Sequence, residues 1–229
     1  MKEIKTSNYI ISYEPILEEF IQKTIAHTEN KRQIFYNLFD CSQEDIGVIK
    51  AKFFTSREVF VNYIKSIKPE LQLQEWTTGC CCNGEIQILV DLNNTDKKMT
   101  TLAHETLHIF FNKLIYSHNV KRLNWLDEAY AVNLDGQMDG ISNEKIRDMA
   151  QSISQISEGF DMADLADYNK IKNKNFNGYQ LFKIIGKYIF ETNQSKQFIN
   201  LLKKDRSQVV EKGKTILHEA VQYFLNKNI

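Results

Sequence analysis

At 229 residues and 26.8 kDa the chain is long enough to bury a full core without disulfide staples. Hydrophobic residues at 42% and charged residues at 25%, with nine Gly and two Pro, exclude a disordered, collagenous or low-complexity chain. Lys and Arg total 29 and so do Asp and Glu, so the net charge is zero and no basic field exists to hold a nucleic acid or an anionic membrane.

The first ninety residues mix strand and helix signals. A β-branched and aromatic run predicts a strand over 8–13, and Ile16, Phe20, Ile21 and Ile25 at helical spacing predict a helix over 16–39. A second pair follows, a half-buried strand over 48–54 and a helix over 56–67 whose apolar face carries Val59, Phe60, Tyr63 and Ile64. The clearest hairpin joins 76–82 to 85–92 through Asn83-Gly84, the pair that most readily takes the positive φ angles of a type I′ turn.

Beyond Asp91 the pattern is nearly all helical. Asn94 or Thr95 is a candidate cap for a long helix reaching about Tyr116, and Asn124 for a second covering 125–134. Further helices are predicted near 143–156, 178–191, 196–204 and 214–226. No repeat or linker divides these parts. The expectation is one α+β unit over 1–229, with a sheet-containing lobe at 1–118 and a helical lobe at 119–229.

The first fifteen residues lack the continuous apolar core of a secretory signal, and no stretch approaches bilayer length, so a cytoplasmic protein without a membrane partner is expected. Four cysteines, three of them consecutive at Cys80, Cys81 and Cys82, do not form a disulfide framework, because neighbours on a strand point to opposite faces. They read as small strand residues, or with one thiol in the cleft that could ligate metal or be oxidised.

The informative stretch is His104-Glu105-Thr106-Leu107-His108, an H-E-x-x-H motif inside a predicted helix. On a helix, positions i and i+4 share one face, so two imidazoles can reach a single zinc ion while Glu105 is turned towards a water on it. A catalytic site needs a third protein ligand. A third histidine on the same segment is excluded, since Phe111 and Leu114 occupy the glycine and histidine positions of that longer motif. Glu128 is the next candidate, early in a helix that returns after the loop 117–123. Asp127 has two readings, an acceptor for a ligand histidine or a carboxylate capping the helix start at Asn124, and the cap is preferred. His27, His118 and His218 have no partner at metal-ligand spacing in the sequence and read as surface or satisfied histidines.

AHETLH at 103–108 and WLDEAYA at 125–131, with nineteen residues between His108 and Glu128, resemble the gluzincin zinc metallopeptidases, and in particular their compact bacterial peptidase MA-like members. The resemblance implies a zincin-like fold and one zinc per chain held by His104, His108 and Glu128. It implies hydrolysis of a peptide or protein substrate with Glu105 as the general base, and it assigns no oligomeric state. Such enzymes add a tyrosine or histidine for the oxyanion, and Tyr179, opening a helix in NGYQLF at 177–182, is the residue the resemblance points to, with Tyr168 and Tyr130 as weaker rivals. The strand before the H-E-x-x-H helix is, in that group, the edge that receives extended substrate. In its aminopeptidase branch this place carries G-x-M-E-N, and aligning Gly79 and Asn83 sets Cys82 where the glutamate stands, which argues against aminopeptidase specificity. Two alternatives remain open, a catalytically inactive zincin-fold protein that binds a peptide or partner, and a structural zinc site closed by Cys82.

Overall fold

The computed structural model describes residues 1–75, 77–95, 99–116, 122–155 and 178–227. The chain is mixed α+β and forms two compact units, Met1–Leu114 and Ile115–Ile229. Trp76, residues 96–98 of the predicted long helix, most of the predicted loop 117–123 with His118, residue 156, Tyr168 and Asn177 lie outside the described residues.

In the first unit the strands are β1 (Lys2–Lys5), β2 (Tyr9–Tyr13), β3 (Ile49–Phe54), β4 (Gly79–Cys82) and β5 (Glu85–Leu89). They form one mixed sheet in the order β1-β2-β3-β5-β4, with β2, β3 and β5 parallel and the two outer strands antiparallel. Parallel neighbours need a crossover. Helix α1 (Glu18–Phe39) joins β2 to β3, and α3 (Arg57–Ile67) lies between β3 and the hairpin. β1 lacks an apolar alternation, so no sequence pattern predicts it. The single-turn α2 (Gln43–Ile46), which a Ser42/Asp45 capping box starts, is not predicted either. Asn83 and Gly84 have φ of 53° and 75°, as the predicted type I′ hairpin requires.

Helix α4 (Thr101–Leu114) begins later than its predicted cap. Asp91 takes the Asn93 amide on its side chain and the Asn94 amide on its carbonyl, a turn that keeps Asn94 out of the helix. α4 is held against α1 by Phe35, Tyr36 and Phe39 packing on Phe110, and Phe39 on Phe111, with ring centroids 5.0–5.7 Å apart. Behind it Arg32, 1% exposed, lies over the rings of Tyr9, Tyr36 and Phe110. Its guanidinium donates to both tyrosine hydroxyls, and the Tyr9 hydroxyl shares a 3.0 Å hydrogen bond with Thr106. Cation–π contacts and phenol oxygens thus keep a buried charge satisfied. They also tie the back of α4 to β2 and α1.

The second unit is helical among its described residues: α5 (Asn124–Leu134), α6 (Asn143–Ser154), α7 (Tyr179–Glu191), α8 (Ser195–Lys204), α9 (Arg206–Gly213) and α10 (Ile216–Asn226). α9 was not predicted, since its apolar face amounts to little more than Val209. α5 and α7 cross antiparallel at Gly186, where any side chain would overlap the Asn133 amide and the Ala129 carbonyl. Asn133 seals the crossing, donating to Ala129, Phe182 and Lys183 carbonyls at 2.9–3.4 Å. Among the described residues no helix is long and apolar enough to cross a membrane.

Candidate metal centre

α4 is buried over most of its circumference, and the aromatic wall and the Tyr9–Thr106 bond set which way it faces. His104 and His108 therefore stand one turn apart on one face, rings 4.9 Å between centroids and edge to face, each at most 7% exposed. Glu105 is equally buried and packs against the first residue of β4. A Cβ at Gly79 would stand 2.7 Å from Glu105 Oε1 and 2.9 Å from Thr101 Cγ2, so glycine is what lets the strand backbone approach the carboxylate so closely. In the sequence Gly79 stands out only through its alignment with the aminopeptidase motif. The steric reason is visible only in the fold.

Each of His104, His108 and Glu128 offers a ligand atom, and the three atoms all lie within 4.8 Å of one another. Two imidazole nitrogens and a carboxylate oxygen at this spacing suit one divalent cation, whose bonds to such donors are about 2.0–2.2 Å long. The donor set is compatible with a metal ion.

Asp127, beside Glu128, corrects the preferred cap reading. Leu123 precedes the helix without a side-chain cap, and Asn124 is already helical. The Asp127 carboxylate, 0% exposed, instead accepts the Tyr116 hydroxyl at 2.6 Å and the Arg122 Nε. Burial pushes its carboxyl up to about 6, against the pull of Arg122 and Tyr116, while burial and Asp127 raise the Tyr116 phenol well above its usual range. This triad pins the first turn of α5, which carries Glu128. Neither Arg122 nor Tyr116 was singled out from sequence, because no short-range pattern links them to Asp127.

Tyr179 is the first residue of α7, its ring edge-on to Phe182 at 6.0 Å. Gly186 faces Ala129, so Tyr179 stands two turns of α7, about 10 Å along its axis, from the level of Glu128. Tyr130 is spent elsewhere, its hydroxyl donating to the Ser195 carbonyl at 2.7 Å and its ring packed on Phe190. Cys82 packs with Phe54, Phe60 and Ile64 on the α3 side of the sheet, whereas Gly79, of opposite parity on β4, meets α4. That removes Cys82 as a fourth ligand beside the two histidines.

No family model, no curated protein and no solved structure matches the chain.

Proposed function

We propose that the chain is a zinc-dependent peptide hydrolase of gluzincin type, with a zincin-like fold. The observation that carries this reading is the donor triad of the buried His104 and His108 with the half-buried Glu128, and a buried carboxylate at Glu105 on the helix of the two histidines. Zinc bound there would supply Lewis acidity for a peptide carbonyl and lower the pKa of water. His104 and His108 would offer imidazole nitrogens to the ion, and Glu128 a carboxylate that balances its charge. Glu105 takes the proton from the attacking water and delivers it to the nitrogen of the leaving amine. Its low exposure keeps bulk water from competing for that proton, and the contact with Gly79 restricts its rotamer.

The resemblance gives the oxyanion to Tyr179, and the register of α7 makes this a sharp test. Tyr179→Phe is expected to lower kcat by about 10²-fold at constant metal content if its hydroxyl serves the transition state. An unchanged kcat takes Tyr179 out of the site.

The reading as a whole is tested by incubating the zinc-loaded protein with a mixed peptide library and following fragments by mass spectrometry. Cleavage that stops on chelation and returns with zinc is the expected result. Peptides retained on the protein but recovered intact would favour the binding-only alternative.

A further inference from the structure

Cys80 and Cys82 sit two residues apart on β4, an edge strand, and so point to the same face. Their sulfurs are 3.8 Å apart and share a hydrogen bond. Cys80 Sγ also donates to Gln87 Oε1 at 3.5 Å. Gln87, opposite Cys80 on β5, is 0% exposed, and its amide nitrogen donates to Glu85, which accepts the Tyr63 hydroxyl. A buried amide is costly unless its hydrogen bonds are made, and these are. Here it orients a dithiol.

We propose that Cys80 and Cys82 are a thiol–disulfide redox site, oxidised by a low-molecular-weight disulfide such as oxidised glutathione. Cys80 is the half-buried member and meets the oxidant; Cys82 is buried and resolves the adduct. Cys80 Sγ attacks the oxidant as its proton passes to the neighbouring Cys82 thiolate, breaking the oxidant's S–S bond and releasing one glutathione thiolate. Cys82 gives that proton to solvent, and its thiolate attacks Cys80 Sγ and releases the second. Two S–H bonds give one S–S bond, two protons pass to solvent, and two electrons reduce the oxidant to two thiols. The hydrogen bond between the two sulfurs favours the Cys82 thiolate, against its burial and with the help of the Lys68 charge, and the same bond together with burial pushes the Cys80 thiol up.

Residues two apart on a strand have Cα atoms about 6.6–6.8 Å apart, at the upper end of what a disulfide spans, so bridging requires the strand to pucker. β4 can do so, because among the described residues it pairs on one side only, and it leads directly into the turn at Asn83-Gly84. The strain makes the bond easy to reduce, as suits a reversible site rather than a staple. Cys81 points to the other face, towards the side on which Gly79 meets Glu105.

The test equilibrates the whole chain in glutathione buffers of stepped ratio, alkylates the remaining thiols, and maps the peptides by mass. The expected product is two hydrogens lighter, bridged between Cys80 and Cys82, reversed by dithiothreitol, retained in Cys81→Ser and lost in both Cys80→Ser and Cys82→Ala. Alanine is chosen at Cys82 because a buried serine hydroxyl there would threaten folding, and circular dichroism checks each variant. Alkylation of all four cysteines at every ratio, a bridge to Cys81, or a glutathione adduct that never resolves would overturn the proposal.

Discussion

Glu105→Gln is expected to lower both kcat and kcat/KM for peptide hydrolysis by about 10³-fold or more, while the protein retains its full complement of metal. Glutamine keeps the volume and the packing against Gly79, so α4 and its histidines stay in place. What it loses is the ability to accept a proton. General acid–base groups contribute about 10²–10⁴-fold, and in the proposed mechanism one carboxylate serves both transfers, so a loss near the upper part of that range is expected. In free energy this is about 4 kcal/mol of transition-state stabilisation. Metal analysis and steady-state kinetics on the same preparation separate the two roles. A Glu105→Gln protein that still cleaves peptides at the wild-type rate would falsify the assignment of the base.

Gly186→Ala is expected to destabilise the second unit by about 2 kcal/mol or more and to lower Tm by roughly 5–10 °C in calorimetry. Two effects oppose each other. Alanine favours an isolated helix over glycine by about 1 kcal/mol. At this position, however, its methyl would overlap the Asn133 amide and the Ala129 carbonyl, and the latter is backbone that no rotamer change can move aside. Overpacking of that kind costs about 1–3 kcal/mol or more, so the clash wins. Because Ala129 follows Glu128 directly, forcing α7 away from α5 also turns the carboxylate, and weaker metal binding should accompany the lower Tm. A Tm that rises, as helix propensity alone would give, would show that the crossing relaxes freely.

The motif-bearing helix was legible because the signal is local: an i, i+4 histidine pair with apolar residues around it states both the period and the burial of α4. The hairpin was legible for the same reason, through Asn83-Gly84. Glu128 could be reached because a short return between helices restricts where a carboxylate can come from. The supports of the site were not legible. Arg32 lies in a run of polar residues, and only the meeting of β2, α1 and α4 shows that it is buried between three rings. Asp127 has the position of a helix-start carboxylate, but Arg122 and Tyr116 offer it stronger partners than the helix amides do. β1 is paired by β2 rather than by its own pattern, and three of its four residues are exposed. Gly79 and Gly186 are glycines for what they stand against, which sequence periodicity does not encode.

The central claim is that His104, His108 and Glu128 hold one zinc ion per chain. Elemental mass spectrometry of protein purified without a histidine tag or added metal measures this directly. The account predicts one zinc per chain, lost in His104→Ala and in Glu128→Ala and retained in Glu105→Gln. Protein that contains no zinc, and that neither binds added zinc nor gains Tm from it, would contradict the account.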